Sequence, residues 1–267
     1  MPTKFIKYEK ALLTIADTDI FAESAEIAVE ASLTPITNIT GAVINYAAGG
    51  PVKGTLSFSH YCTGDFHSFL NPLSTIEHTG EPLAGKLAGV TFTQGYIKSL
   101  NFSLAPYSPI LFRSSLDIYG ELSLDDSDTD YENKNLRVQT GMAHSMRSYL
   151  AGTDLGINHK VSFDYSVTCD RKPVVFVEDE NPSRVTKENV RINLSVGGED
   201  IGDAIAITGK YAAVEIQVLE AYGNNDPMAK FGCSGQIFSQ NLTMSEGGYM
   251  DGSISLSQEY LTGRVFY

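Results

Sequence analysis

The stretch GYIKSLNFSL, residues 95–104, alternates small or polar residues with apolar ones, the period expected of a β-strand with one buried face. A closely similar stretch, GQIFSQNLTM, occupies residues 235–244. The matched positions are Gly95, Ile97, Ser99 and Asn101 in the first copy and Gly235, Ile237, Ser239 and Asn241 in the second. The repetition predicts that one β-structured unit occurs twice in the chain.

Two further blocks recur in the same order. LSF at 56–58 is echoed by VSF at 161–163, and GKLAGVTF at 85–92 by GKYAAVEI at 209–216. Three collinear blocks predict a tandem duplication of one β-domain. The acidic run LDDSDTDYENKN at 124–135 separates the copies. We therefore expect domains at 1–124 and 141–267, joined by an acidic linker at 125–140, with a longer loop at 217–234 in the second domain.

Strand-like alternation dominates the rest of the chain and predicts an all-β fold, in which each domain is a β-barrel or sandwich. Two segments, 64–73 and 141–150, are the better candidates for short helices. The segment DIFAESAEIAVEA at 19–31 fits an amphipathic helix and a strand equally well.

Charge and hydropathy exclude some classes of function. The net charge of −13 and the isoelectric point near 4.7 argue against a surface that neutralises nucleic-acid phosphates. The N-terminus MPTKFIKYEKALLTI lacks an apolar core followed by a cleavage site, and no long apolar run follows it. We expect a protein that is not exported and has no membrane partner.

No motif for catalysis or cofactor binding is present in the sequence. It has no GxSxG or SxxK nucleophile motif, no phosphate-binding loop and no metal-ligand spacing of histidines. Cys62, Cys169 and Cys233 are widely spaced and are expected to be buried, reduced thiols. The carboxylates within 125–132 lack the glycine turn and distant glutamate of a calcium loop, which favours a solvated linker over a metal site. We expect a non-enzyme without a cofactor or metal.

Over residues 95–122, 159–196 and 235–261 the chain resembles the β-domains of tailed-bacteriophage tail tube and baseplate hub proteins. The resemblance implies a structural virion protein, either a tail tube or a hub or adaptor ring, assembled in the host bacterial cytoplasm. It also implies a homo-oligomer, with a trimeric pseudo-hexameric ring favoured over a hexamer. Genomic DNA would pass through its lumen without specific binding, and neighbouring tail proteins would contact it.

Within such a ring, Ile97, Leu100 or Phe102 would face packing partners, and Lys98, Ser99 and Asn101 would lie nearer solvent or the lumen. The alternation is not strict across residues 100–102, so it does not assign a face to each residue. The candidates for subunit contacts are Gly49, Gly50, Tyr222, Asn224, Asn225, Asp226, Met228 and Phe231. The alternative is a non-catalytic β-sandwich module that binds a carbohydrate or receptor at a virion or cell surface. Its 14 tyrosines suit a sugar platform, but tryptophan, the stronger stacking surface, is absent.

Overall fold

The computed structural model describes residues 13–20, 22–61, 82–104, 109–124, 146–150, 153–154, 158–200, 211–219, 227–244 and 250–258. These residues form β-strands, turns and irregular segments, with no helix among them, so the all-β prediction is confirmed. The strands before the acidic run are β1 (Leu13–Ile15), β2 (Thr18–Ile20), β3 (Ala22–Glu30), β4 (Leu33–Thr37), β5 (Val43–Ala48), β6 (Lys53–Tyr61), β7 (Leu83–Leu87), β8 (Val90–Leu104), β9 (Leu111–Tyr119) and β10 (Leu122–Leu124). Those after it are β11 (Met146–Leu150), β12 (Thr153–Asp154), β13 (Asn158–Val174), β14 (Arg184–Asp200), β15 (Tyr211–Leu219), β16 (Pro227–Met244) and β17 (Met250–Gln258).

The described strands form two antiparallel arrays within one large sheet. The first array runs β3-β6-β9-β8-β7, and the second runs β13-β14-β17-β16-β15. In both arrays the lateral order is the first, second, fifth, fourth and third strand along the chain. The arrays join where β13 pairs with the second half of β8, so that the backbone hydrogen bonding continues from one to the other. Strands β4 and β5 form a separate two-stranded sheet.

The two arrays also share their register. In the first, Ile97 lies opposite Leu116 and Ser99 opposite Ser115, with a β-bulge between them at Lys98. In the second, Ile237 lies opposite Leu256 and Ser239 opposite Ser255, with a bulge between them at Phe238. A bulge leaves one residue unpaired and bends the strand, so both arrays bend at the same point. The stretches 95–104 and 235–244 therefore occupy equivalent positions.

The other two sequence blocks do not occupy equivalent positions. Leu56, in LSF, lies opposite Leu116, and the residue opposite the equivalent Leu256 is Leu194. LSF at 56–58 therefore corresponds to LSV at 194–196 on β14, and the match to 161–163 on β13 was wrong. The second block fails because 85–92 spans the turn between β7 and β8, whereas 211–216 lies within the single strand β15. Alternating strand sequences resemble one another without being equivalent.

One hydrophobic core contains residues from both sides of the acidic run. Its centre is an aromatic cluster of Phe102, Phe112, Tyr165 and Phe231. Phe102 on β8 and Phe231 on β16 are four strand spacings apart along the sheet, about 19 Å if it were flat. Their ring centroids are 4.8 Å apart, so the sheet curls around the core. Ile97, Leu100 and Phe102 are all buried in it. Strict alternation would place Ile97 and Leu100 on opposite faces, and the bulge at Lys98 brings both to the core.

The sheet does not close into a barrel within the described residues, because its strand path ends at β12 on one side and β2 on the other. The barrel form of the prediction is therefore not found there. The helix predicted at 141–150 is wrong where it is described: residues 146–150 are strand β11, whose pairing with β15 overrides local helical spacing. The helix predicted at 64–73 lies outside the described residues. Of the segment 19–31, residues 19–20 lie in β2 and residues 22–30 form β3, with Ile27 packed against the core.

Candidate functional site: a serine-rich sheet face

The side of the first array that faces away from the core carries a row of small hydroxyl side chains. Ser57, Ser115 and Ser99 lie opposite one another on β6, β9 and β8, and Glu26 on β3 continues the row. Their alternation with buried residues such as Leu56 and Leu116 places them on the wetted face. We call this surface the serine face.

The serine face of the first array lines a shallow depression of about 640 Å³, to which Ser59, Asn101 and Arg113 also contribute. The hydroxyls bond to each other: the Oγ atoms of Ser99 and Ser115 are 2.6 Å apart, and those of Ser24 and Ser59 are 2.8 Å apart. The surface is thus polar and its side chains are short, so few side chains project from this face of the sheet.

The same row recurs in the second array. Asp164, Ser195, Ser255 and Ser239 lie opposite one another on β13, β14, β17 and β16. They match the first row position for position, with an acidic residue at the outer strand and three serines following it. Ser255 donates a hydrogen bond to Ser195 at 3.4 Å. The two rows and the β8–β13 pairing make the serine face continuous across both arrays.

The chemistry of the serine face is that of a hydrated surface. A serine nucleophile needs a general base to take its proton, and these serines bond to other hydroxyls. His60 lies on the apolar side of β6, stacked between Phe58 and Phe112 at centroid distances of 5.4 and 5.5 Å. Burial lowers the pKa of His60 to about 4, so the ring is a neutral core side chain.

A buried charged group stands where the arrays join. Arg171 on β13 donates through Nε to the carbonyl of Ile97 at 2.8 Å, and its guanidinium lies 5.9 Å from the ring centre of Tyr96. Burial lowers the pKa of Arg171, although the nearby Asp117 carboxylate opposes this effect. Asp117 is itself buried, with the amino groups of Lys53 and Lys98 at 3.4 and 3.5 Å. The Arg171 hydrogen bond therefore links β13 to β8 in addition to their backbone pairing.

Apolar side chains are exposed on two projecting hairpins. The first, formed by β4 and β5, connects β3 to β6, and we call it the exposed hairpin. Its outward apolar residues are Leu33, Ile36, Ile39, Val43, Ile44 and Tyr46. The second is the connection from β13 to β14, the equivalent place in the second array, where Val175, Phe176 and Val177 are exposed. Clustered exposed apolar residues are typical of protein contact surfaces.

The residues expected at subunit contacts are placed as follows. Gly49 and Gly50 lie at the base of the exposed hairpin, where the Gly49 amide donates to the carbonyl of Ser32 at 2.7 Å. Phe231 is buried in the aromatic cluster and is not part of the surface. Met228 lies on β16. Tyr222, Asn224, Asn225, Asp226 and the linker 125–140 lie outside the described residues. The segment 217–234 is largely strand, since β15 and β16 pair through it.

The repeat residues are all in place on equivalent strands: Gly95, Ile97, Ser99 and Asn101 on β8, and Gly235, Ile237, Ser239 and Asn241 on β16. Both isoleucines are buried, both serines are half-buried and both asparagines are exposed. Sequence reasoning had missed the serine rows as a feature shared across strands. The signal was present, because serines at 57, 99, 115, 195, 239 and 255 sit at alternating positions of strand-like segments.

Two of the three thiols, Cys169 and Cys233, are free and buried, as expected. Burial raises the pKa of Cys233 to about 12, which keeps it a protonated, unreactive thiol. Cys62 lies outside the described residues. Within the described ranges, no group of three or more His, Cys, Asp or Glu residues is arranged to hold a metal ion. Those ranges also contain no helix with the length and apolar character needed to cross a membrane.

No protein-family model matches this chain, and a search of curated proteins finds no match to it.

Proposed function

We propose that this chain is a structural protein of a bacteriophage tail, which assembles into a ring around a channel that conducts DNA. The observation that carries the proposal is the repetition of one strand order and register in two arrays that join edge to edge. A unit that adds to a copy of itself within the chain is suited to continue adding between chains. Descent of the two arrays from one duplicated domain accounts for that repetition.

The serine face supports a channel-lining role. Small hydroxyl side chains make a hydrated surface. Such a surface lacks the clustered Lys and Arg side chains that bind nucleic-acid phosphates. Its charges are of both signs: Glu26, Glu30, Asp164 and Asp170 are acidic, and Lys53, Arg113 and Arg191 are basic. The whole chain carries a net charge of −13, so a DNA backbone moving past it is repelled overall and is not trapped.

In this proposal three chains form a ring with pseudo-sixfold symmetry, because each chain supplies two equivalent arrays. The exposed hairpin and the apolar tip of the β13–β14 connection contact neighbouring subunits or neighbouring tail proteins. The ring is part of the virion and is assembled in the host bacterial cytoplasm, with no catalytic step and no cofactor.

The test is negative-stain electron microscopy of the purified chain beside its mass in solution. The proposal predicts trimers that form rings or stacked tubes with a central pore. A monodisperse monomer at high concentration, with no rings, would refute it. In that case a screen against immobilised glycans and cell-surface receptors becomes the informative experiment, since a binding module works as a monomer.

A further inference from the structure

One edge of β8 is covered by β13, the first strand of the second array. The other edge of β8 pairs with β9 throughout 95–103. On the covered edge, Phe163 lies opposite Leu104, Ser166 opposite Asn101 and Thr168 opposite Ser99. Strand β13 is thus added antiparallel to β8, which lies fourth in the lateral order of the first array.

The equivalent edge of β16 is open within the described residues. Residues 236–244 pair with β17 on one side, while β15 covers only 227–236 on the other. Strand β3, the equivalent of β13, is also half covered, since β6 is its one described partner. An unpaired strand edge presents free N–H and C=O groups and is a template for another strand. Each chain therefore carries one copy of both halves of the β13–β8 contact, and no described strand of the same chain pairs with either of them.

We propose that a second copy of this chain fills these edges: β3 of one chain pairs antiparallel with residues 239–244 of the next, in the register of β13 on β8. The pairs are Ala25 with Met244, Ile27 with Leu242, Ala28 with Asn241 and Glu30 with Ser239. The inference rests on the proposed function, because it specifies how the ring closes. The contact is head-to-tail, which yields a closed ring when the rotation between chains closes.

The exposure of β3 supports this register. Val29 on β3 is equivalent to Val167 on β13. Val29 lies opposite Gly54, two positions from Leu56, and Val167 lies opposite Ile192, two positions from the equivalent Leu194. Val167 is 0% exposed because β8 covers it, whereas Val29 is 50% exposed. A valine on the apolar side of a nine-residue strand is left uncovered at the position that the internal contact would bury.

Two further exposed apolar residues lie near the proposed contact. Leu33 lies three residues after Glu30, as Arg171 lies three residues after Thr168. Arg171 donates a hydrogen bond to the carbonyl of Ile97, beside the bulge in β8. The equivalent bulge on β16 presents Phe238. Leu33 and Phe238 are 61% and 59% exposed. Phe238 therefore lies at the bulge beside the proposed strand contact, and Leu33 lies just beyond the end of β3, at the start of β4.

Disulfide crosslinking tests the register directly. The test protein carries Ala28→Cys and Asn241→Cys in a Cys62→Ser background, in which the remaining native thiols, Cys169 and Cys233, are buried. Directly opposed residues of antiparallel strands have Cα atoms about 4.5–5.5 Å apart, within the range that a disulfide spans. Mild oxidation followed by non-reducing electrophoresis is expected to give covalent multiples of the chain.

Two matched variants control the experiment. Ser166→Cys with Asn101→Cys places the same pair at the internal junction, and it should form a disulfide within a single chain. Val29→Cys with Asn241→Cys is one residue out of register, so the side chains point to opposite faces and no multimers should form. Electron microscopy of the Cys62→Ser protein without these cysteine pairs reports ring formation separately.

The outcomes separate this inference from the proposed function. Multimers from the test pair, with rings by microscopy, support both. Rings without crosslinking of the test pair, while the internal pair closes, overturn the register and leave the ring proposal standing. Crosslinked multimers without rings support the strand contact and refute the closed ring. If neither multimers nor rings form, both the strand contact and the ring proposal are refuted.

Discussion

Replacing Phe231 by alanine tests whether the two arrays fold as one unit. Phe231 comes from β16, in the second array, yet its ring packs on Phe102 and Phe112 of the first array at centroid distances of 4.8 and 5.7 Å. It also packs on Tyr165, at 5.6 Å, and is fully buried. A cavity at this position removes contacts from both sides of the acidic run at once.

The expected loss of unfolding free energy is about 3–5 kcal/mol, the usual cost of removing a buried phenylalanine side chain. Phe231→Leu keeps most of the volume and should cost less than about 1.5 kcal/mol. Phe176→Ala removes a ring that is 60% exposed, and its effect should be within about 0.5 kcal/mol. In a double-mutant cycle, Phe102 and Phe231 should couple by about 1 kcal/mol, because their rings touch.

The assay is urea unfolding followed by far-UV circular dichroism and tyrosine fluorescence, since the chain contains no tryptophan. A shared core predicts one transition by both probes, which Phe231→Ala shifts as a whole. Two transitions, of which Phe231→Ala moves only one, would show that the arrays unfold as separate domains and would refute the reasoning from a shared core.

Four further substitutions have defined expectations, each measured by urea unfolding. The pKa of His60 falls from its usual 6.5 to about 4 by burial, so the unfolded chain binds the proton first as the pH drops. The free energy of unfolding is therefore highest above pH 6.5 and falls by about 3 kcal/mol as the pH drops to 4. His60→Phe should remove that part of the pH dependence. Asp117→Asn takes a buried carboxylate from between two lysines and should cost about 3 kcal/mol; Lys172→Ala breaks only an exposed pair and should cost under about 0.5. Gly95→Ala should cost about 1–3 kcal/mol, because a Cβ there would lie 2.7 Å from the Phe92 ring; an unchanged midpoint would show that the ring moves freely.

The all-β class was predictable from the sequence because alternation in a strand is a local property. In residues 95–104 and 235–244, Ile97 and Ile237 are buried, and the bulge that follows each isoleucine turns Ser99 and Ser239 to the opposite face. The sequence also indicates the shared bulge, since both stretches depart from strict alternation near residues 98 and 238. Segment 146–150 shows the limit: its spacing fits a helix, and pairing with a distant strand makes it β11.

Strand pairing, by contrast, depends on partners far away in the chain. LSF at 56–58 is similar in sequence to 161–163, yet its structural equivalent is 194–196. The match is defined by Leu56 opposite Leu116 and Leu194 opposite Leu256. The serine rows follow the same principle, since Ser57, Ser99 and Ser115 become neighbours only when three strands align.

The sequence by itself determined the strand-forming character of the chain and its acidity, because these follow from composition and from periodicity within one segment. It also predicted the burial of Cys169 and Cys233 and the equivalence of 95–104 with 235–244, which the strand register confirms. Only the tertiary structure decided that both arrays share one core, that β13 covers β8, and that the matching edges of β3 and β16 lack a described partner. The physical reason is that burial and edge pairing are relations between segments. A segment's own residues define which face is apolar, while the neighbouring strands decide whether that face and that edge are covered.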